Sequence, residues 1–220
     1  MRMTEHHTPS LPTLPSASRR RYRQGRRLES VEDTRRRITA AAFELHATIG
    51  QSRTTIRAIA DRAGVQRNTV YAHFPDLETL YEACTAHGIR VTGMPSAEPW
   101  SAIADPPTRL RHGLRELFAW YRANALMLRN VLYDGEPAMP PPTEPDTFEI
   151  RMRSQLTAFS DGWVVTEEDG RSMLLAFLVL AMGFETWQSL ASSGLADERA
   201  VDLLVSIATG IASGTITDNA

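Results

Sequence analysis

A short run of polar side chains, residues 66–69 followed by Tyr71 and His73, carries the most distinctive chemistry of this 220-residue sequence. These side chains offer both hydrogen-bond donors and acceptors, which can reach base edges or phosphates in the major groove of DNA. Val65 and Val70 are expected to cover the inner face of the same segment. A solvated helix face is the simpler alternative, so the surrounding pattern has to decide between the two interpretations.

The sequence around this run predicts three short helices. Apolar residues recur at helical spacing between Ile38 and Ile49, and they predict a first helix over residues 31–49. A second helix is predicted to be capped by Thr54 or Thr55 and closed by Gly64, which supplies the positive φ of a tight turn. The third runs from residue 66 to 74. Three helices in about 45 residues is the scale of a DNA-reading trihelical unit.

Residues 54–74, which read TTIRAIADRAGVQRNTVYAHF, resemble the DNA-binding signature of the TetR family of bacterial transcriptional regulators. The resemblance extends upstream to Ala41 and downstream to Leu80, and the rest of the chain is similar to the family only in the order and length of its helices. Two positions depart from the pattern. Many relatives carry Lys where Leu77 stands, and many carry an aromatic residue near Gln51. Leu77 in place of Lys removes one expected phosphate contact.

The resemblance implies that this segment binds double-stranded operator DNA, and it assigns roles to eight residues. Those that would position the protein on the DNA, chiefly through the phosphate backbone, are Thr55, Arg57, Tyr71 and His73. Those that would read bases are Gln66, Arg67, Asn68 and Thr69. Arg67 can bond guanine in a bidentate manner, which typically discriminates by about 1–3 kcal/mol. Regulators of this kind bind paired half-sites, so a homodimer is expected.

The remainder of the sequence predicts further helices and no β-period alternation, so the predicted fold class is all-α. Asp76, after Pro75, is expected to cap the fourth helix. The later helices are predicted over residues 77–89, 110–121, 125–133, 148–159, 167–191 and 197–211. The predicted domains are a disordered arm over residues 1–30, a homeodomain-like helix-turn-helix domain over residues 31–77, and an all-helical effector-binding and dimerisation domain over residues 78–220.

Charge is divided along the chain. Residues 1–75 hold 14 arginines and 6 acidic residues, whereas residues 76–220 hold 10 arginines and 20 acidic residues. A basic first third suits binding to a polyanion. The predicted arm could follow a phosphate backbone or enter a minor groove, and a mobile tail without a role is the alternative. Its candidate DNA-contacting residues are Arg19, Arg20, Arg21, Arg23, Arg26 and Arg27.

The resemblance also implies an effector pocket among the middle helices and a dimer interface on the last ones. Aromatic or flexible apolar candidates for the pocket are Trp100, Phe118, Tyr121, Met127, Phe148, Met152, Phe177, Phe184 and Trp187. They favour an apolar or aromatic small-molecule ligand, while the acidic balance leaves a cationic ligand as an alternative. Candidates for the interface are Leu178, Ala181, Met182, Leu190, Leu203, Leu204 and Ile207. An ordinary core is the alternative for both sets.

Several function classes are disfavoured by the sequence. Cys84 is the single cysteine, so no internal disulfide forms, and neither a glycine-rich phosphate loop nor a His-Glu-x-x-His metal motif is present. We therefore expect no enzyme, cofactor or metal site. The longest apolar run, residues 173–184, is too short to span a bilayer, and prolines interrupt the N-terminus where a secretory signal would lie. We expect a cytoplasmic, ligand-released repressor, with a sequence-nonspecific, nucleoid-type DNA binder as the alternative.

Overall fold

The computed structural model describes residues 17–133, 147–165 and 169–215. Within these ranges the regular secondary structure is entirely helical, which confirms the predicted all-α fold class. The helices of the described residues are α1 (Ala17–Ile49), α2 (Ile56–Ala63), α3 (Arg67–His73), α4 (Leu77–Thr92), α5 (Glu98–Ser101), α6 (Pro106–Leu132), α7 (Thr147–Ser160), α8 (Gly170–Ala181), α9 (Phe184–Ser192) and α10 (Asp197–Ala212).

Helix α1 begins much earlier than the sequence suggested. The prediction placed its start near Val31 and a disordered arm before it, but α1 already begins at Ala17. The prediction of disorder is therefore wrong for residues 17–30, and its remainder, residues 1–16, lies outside the described residues. Low apolar content argued against a packed core, yet Arg, Gln, Glu and Leu are good helix formers, and no proline follows Pro15 in this stretch. An existing helix can extend through such a stretch without any core.

The chain divides into two units between Arg37 and Ile38. In the first unit, helical hydrogen bonding is supplemented by side chains: the Thr34 hydroxyl donates to the Ser30 carbonyl over 2.8 Å, and the Arg36 guanidinium pairs with Asp33. The second unit contains two hydrophobic clusters. The head cluster consists of Ile38, Ala41, Ala42, Ile59, Ala60, Ala63, Val70, Phe74, Leu80 and Cys84. The body cluster consists of the buried apolar residues between Ile89 and Ala212.

Local signals define the helix ends around the head cluster. Thr55 caps α2 by accepting a hydrogen bond from the Ala58 N–H over 3.1 Å, which decides between the two threonines that the sequence left open. Gly64 ends α2 in the left-handed conformation, with φ 65°. Asp76 caps α4 by accepting from the N–H and the hydroxyl of Thr79, each over 2.7 Å. These two hydrogen bonds hold the pKa of Asp76 below its usual value, the backbone one having the larger effect.

Two predicted boundaries of the body helices were wrong. The sequence predicted separate helices over residues 110–121 and 125–133, but α6 runs through both, with one non-helical residue at Asn124 (φ −119°, ψ 17°). Conversely, the single helix predicted over residues 167–191 is divided into α8 and α9 with a bend of 65°. Gly183 lies at this break, where an added Cβ would approach the Leu180 carbonyl to 3.2 Å. No single helix of the described ranges is long and apolar enough to cross a bilayer, although the bent α8–α9 pair reaches that length and composition.

Large aromatic side chains hold the body together. The Trp100 ring stacks on Phe159 with centroids 4.9 Å apart, and its Nε1 donates to Glu116 over 2.7 Å. Gly113 makes this stack possible, because a Cβ there would approach the Phe159 ring to 2.3 Å. The Tyr121 hydroxyl donates to the Met182 carbonyl over 2.5 Å. These contacts join helices that lie far apart in the sequence.

Ion pairs also join α6 to α10 along the exposed side of the body. Arg115 donates to Glu198 over 2.9 Å and Arg122 donates to Asp197 over 2.8 Å. The hydrogen bond from Arg122 holds the pKa of Asp197 below its usual value. Because the pairs are largely exposed, each is expected to contribute only about 0–1 kcal/mol. They orient the last helix more than they stabilise the fold.

Candidate DNA-binding surface

Helix α3 has one buried face and one exposed face. Val70 and Phe74, which are 1% and 2% exposed, pack into the head cluster. Gln66, Arg67 and Asn68 are exposed on the other side, and Gln66 is the N-cap residue rather than the first helical residue. The division follows the helical period, since residues three or four apart share a face. The polar side chains are thus presented outward as a group.

The turn between α2 and α3 determines where this face points. The Gly64 N–H bonds to the Asp61 carbonyl over 3.3 Å, and the Val65 N–H reaches back to the Ala60 carbonyl over 3.0 Å. This pair of hydrogen bonds closes the helix end around a left-handed residue, which glycine adopts without a steric penalty. Only Gly64, Val65 and Gln66 separate the two helices. Such a short connection leaves α3 little freedom relative to α2.

Helix α2 is in turn attached to the part of α1 that follows Arg37. The Arg62 Nε donates to Glu44 Oε2 over 2.7 Å, and Ile59 and Ala60 pack against Ile38 and the neighbouring alanines of the head cluster. Ala60 is 2% exposed, so its small side chain permits a close approach between helices. The trihelical arrangement predicted from the sequence is therefore present.

Two arginines of the surface already have local partners on their own helices. The Arg67 Nη2 donates to the Tyr71 hydroxyl over 3.0 Å, and its Cζ lies 5.6 Å from the centroid of the Tyr71 ring. Arg57 lies 3.8 Å from Asp61, but these side chains are 86% and 73% exposed. Exposed contacts of this kind are weak and readily exchanged for others. Both guanidinium groups can therefore turn toward an anionic partner.

All eight residues predicted to contact DNA lie at the surface of this one trihelical region. The exposed ones are Thr55, Arg57, Gln66, Arg67, Asn68 and Tyr71, and the partly exposed ones are Thr69 and His73. Thr55 has a structural role as well, since it caps α2. Leu77, which stands where many relatives carry Lys, is 46% exposed at the first position of α4.

Residues 38–84 match the family model described as bacterial regulatory proteins of the tetR family. This range coincides with the head cluster, from Ile38 to Cys84. Residues 38–84 therefore form a DNA-binding domain of the TetR family. No curated protein sequence shows significant similarity to it.

Solved structures extend the likeness in fold beyond the matched residues. A tetR-family transcriptional regulator from Streptomyces coelicolor is 18% identical, with 82% of this chain and 80% of that chain covered and a TM-score of 0.54. A TetR-like transcriptional regulator from Rhodococcus sp. RHA1 is 17% identical, with coverage of 80% and 94% and a TM-score of 0.52. At this level of identity the likeness concerns the fold, including the helical C-terminal part.

The aromatic residues predicted for the effector pocket are divided between a solid core and a cavity. A cavity of about 100 Å³ lies among α1, α4, α6 and α7, and Met127 and Phe148 line it. The other seven predicted residues do not line this cavity. Trp100, Phe118, Tyr121, Phe184 and Trp187 are at least nine-tenths buried in the body cluster, and Met152 and Phe177 pack against that cluster in partly buried positions.

Sequence reasoning missed most of the cavity wall. Phe43 and His46 line it, although they lie in the predicted DNA-binding domain, and Cys84 of α4 lines it as well. Cys84 Sγ lies 3.4 Å from His46 Nδ1, and burial raises the pKa of this thiol to about 12. No periodic pattern in the sequence identifies these residues, because they come together only when helices that are distant in sequence pack against each other. In the described part of the chain, no three His, Cys, Asp or Glu side chains are grouped to hold a metal ion.

The candidates for a dimer interface also need revision. Leu178, Ala181, Met182 and Leu204 are at most 5% exposed, so they belong to the core of the protomer itself. Of the predicted set, Leu203 is 45% exposed, while Leu190 and Ile207 are partly buried. The large apolar side chains that are exposed on α8 are Met173, Leu175, Val179 and Leu180. The signal was available: the run Met173–Ala181 is apolar all round, which leaves an apolar face on each side of the helix.

Proposed function

We propose that this regulator is a homodimeric repressor that binds a palindromic operator and is released from it by a small, apolar or aromatic ligand. The observation that carries the proposal is the outward face of α3, where exposed polar side chains of varied type stand opposite buried Val70 and Phe74. A nonspecific DNA binder needs cationic side chains, but it does not need this variety of donors and acceptors. The varied face therefore favours sequence-specific reading.

The geometry of the surface supports the residue roles in this proposal. Gln66, Arg67, Asn68 and Thr69 read base edges, because they lie at the N-terminal end of α3, the end that enters the major groove in helix-turn-helix proteins. The residues that fix the protein on the DNA are Thr55, Arg57, Tyr71 and His73. Arg67 leaves its contact with Tyr71 for a guanine, and the freed Tyr71 hydroxyl then bonds a phosphate.

Dimer formation is supported by the exposed apolar face of α8. Val179 and Leu180 are 52% and 64% exposed, and Met173 and Leu175 continue the face. With Leu203 of α10 this forms an apolar surface of the kind that marks protein interfaces. Pairing two copies through α8 and α10 would produce a four-helix interface. The two-fold axis of such a dimer matches the symmetry of a palindromic operator.

The remaining features of the proposal are its location and mode of action. A dimer on a promoter blocks polymerase without any further contact, so repression needs no additional partner. The site of action is the cytoplasm, where the DNA of a bacterium is found. The Arg-rich stretch Arg19–Arg27 adds phosphate contacts to those of the trihelical region. Regulators of this family are generally not enzymes, and we propose no catalytic activity.

Selection of binding sites from random DNA by the purified full-length protein tests this function. The affinity of the winning duplex is then compared with that of a scrambled duplex at the same salt concentration. A palindromic winner that binds at least about a thousandfold more tightly would support a specific dimeric regulator. Equal binding of every duplex without a consensus would contradict the proposal and favour the nucleoid-type alternative.

A further inference from the structure

The cavity among α1, α4, α6 and α7 lies where the head cluster meets the body cluster. Phe43 and His46 come from α1, Cys84 from α4, Trp120 and Met127 from α6, and Phe148 from α7. Its volume of about 100 Å³ is somewhat smaller than that of a 150 Å³ engineered cavity that holds benzene. The cavity is partly open, so a single aromatic ring is the scale of molecule it suits, with a short substituent reaching the open side.

The lining determines which charge a ligand can carry. Among the described residues, the cavity wall contains no arginine, aspartate or glutamate, and its exposed surface is overwhelmingly apolar. An anion or cation placed there would lose its hydration, which is costly in an apolar surrounding. The single basic side chain of the wall is His46, whose Nδ1 already contacts Cys84 Sγ over 3.4 Å. Cys84 does not supply a counter-charge, because its raised pKa keeps the thiol neutral. The acidic surface of the body therefore does not make this cavity a site for cations.

The cavity is also placed to couple a ligand to the DNA-binding surface. Side chains of α6 donate hydrogen bonds to α1 and to α4. Asn130 Nδ2 donates to the Ala47 carbonyl of α1 over 2.7 Å, and Trp120 Nε1 donates to the Thr92 carbonyl of α4 over 3.1 Å. Across the same space Phe43 packs closely on Gly88, where an added Cβ would approach the Phe43 ring to 2.7 Å. A molecule that enters between these helices presses directly on α1 and α4, which adjoin α2 and α3.

We propose that this cavity is the effector site and that it takes an uncharged, mainly apolar molecule about the size of one substituted aromatic ring. The ligand class excludes carboxylates and ammonium compounds of the same size. This inference rests on the proposed function, in which a ligand releases the operator. The site differs from the one expected from the sequence, because its wall includes residues of the head.

Calorimetric titration with three probes of equal size and different charge tests the ligand class. Benzyl alcohol, benzoate and benzylammonium ion are compared at neutral pH on the full-length protein. Benzyl alcohol is expected to bind at least about tenfold more tightly than either ion. Tighter binding of an ion, or no binding of benzyl alcohol, would overturn the proposal.

A cavity-filling variant with a matched control locates the site. Val131 lines the cavity on α6, whereas Leu126 on the same helix is 64% exposed and does not line it. Val131→Trp is expected to abolish benzyl alcohol binding, and Leu126→Trp is expected to leave it unchanged. Equal binding by both variants would show that the alcohol binds elsewhere.

The unmodified protein provides a second measurement, should Val131→Trp fail to fold. Cys84 is the single cysteine of the chain and lines the cavity, so its reaction with methyl methanethiosulfonate reports on this site alone. The reaction is followed by mass spectrometry at pH 9, where more of the reactive thiolate forms than at neutral pH. Saturating benzyl alcohol is expected to slow the reaction at least about tenfold, because a bound molecule blocks access to the thiol. An unchanged rate under saturation would contradict the assignment.

Operator affinity measured on the same preparation separates the two proposals. Saturating benzyl alcohol is expected to weaken operator binding by a factor within about 5–150, and operator DNA must weaken alcohol binding equally. Alcohol binding without any effect on the operator would overturn the effector role of the cavity and leave the DNA-binding regulator intact. A protein that binds the alcohol but selects no operator would overturn the proposed function and leave the ligand site intact.

Discussion

The head cluster and the body cluster are stabilised by different means. The head cluster contains four alanines and no tryptophan, and its helices begin and end at local signals such as Thr55 and Gly64. The body cluster contains all four tryptophans of the chain, and its contacts join helices that are distant in sequence. Local signals fix a precise surface with little core, whereas a large aromatic core provides stability and encloses space. This difference is consistent with the proposed DNA contacts on the head cluster and with the proposed ligand site where it meets the body cluster.

Removing one large side chain from the body should have the largest effect on stability. Trp100 is completely buried and stacked on Phe159, so Trp100→Ala is expected to lower the free energy of unfolding by about 3–5 kcal/mol. Urea denaturation followed by circular dichroism measures this change. Val164→Ala, at a position 83% exposed, should stay within about 0.5 kcal/mol of the original protein. A loss below about 1 kcal/mol for Trp100→Ala would contradict the account of the body core.

A charge on the exposed face of α8 should dissociate the proposed dimer. Leu180 and Leu126 are both 64% exposed, but only Leu180 lies on the proposed interface. Leu180→Asp would bury an unpaired carboxylate in that interface, at a cost of about 3–5 kcal/mol. Sedimentation velocity at micromolar concentration should show a monomer for Leu180→Asp and a dimer for Leu126→Asp. Dimers of equal stability in both variants would place the interface elsewhere.

Replacing the glycine that ends α2 should affect DNA binding, whereas replacing the glycine that ends α4 should not. Gly64 ends α2 with φ 65° and Gly93 ends α4 with φ 64°, so Ala at either position costs about 1–2 kcal/mol of stability. Gly64→Ala should also weaken operator binding, because the turn at Gly64 orients α3. Gly93→Ala should leave operator affinity unchanged. Parallel fluorescence-anisotropy titrations measure both, and equal affinity losses would show that the Gly64 turn has no special role in orienting α3.

Deleting residues 1–27 should have the smallest effect, and it should act on salt dependence. Six arginines lie in Arg19–Arg27, and each phosphate contact contributes about 0.9 to the slope of log affinity against log salt. The shortened protein is expected to bind the operator more weakly and with a flatter slope. Titrations at several salt concentrations measure this. Identical slopes before and after the deletion would show that the arm makes no phosphate contacts.

The sequence predicted the head better than the body, for physical reasons. Thr55, Gly64 and Asp76 act on their own helix ends, so their effect is visible within a few residues. Sequence reasoning missed both the break near Gly183, between α8 and α9, and the continuity of α6 through Asn124. Neither is encoded by local spacing.

The candidate sites show the same contrast. The eight predicted DNA-contacting residues are neighbours in sequence and lie together at the surface of one trihelical region. The cavity instead brings together residues that are far apart in the sequence, from Phe43 to Phe148. A pattern in the chain can identify the first kind of site, but only the packed structure identifies the second. The exposed side of α8 is an intermediate case. The sequence shows that the helix is apolar, but it does not show which of its side chains are exposed.

The central claim is that the outward face of α3 reads DNA sequence, and Arg67 tests it most directly. The measurement is the ratio of affinities for the selected operator and a scrambled duplex at one salt concentration, before and after Arg67→Ala. Arg129→Ala, at an exposed position of α6, is the control. We predict that Arg67→Ala lowers this ratio by about 5- to 150-fold for each half-site of the proposed dimer, while Arg129→Ala leaves it unchanged. An equal loss of affinity for both duplexes would mean that Arg67 binds DNA without reading it, and would contradict the claim.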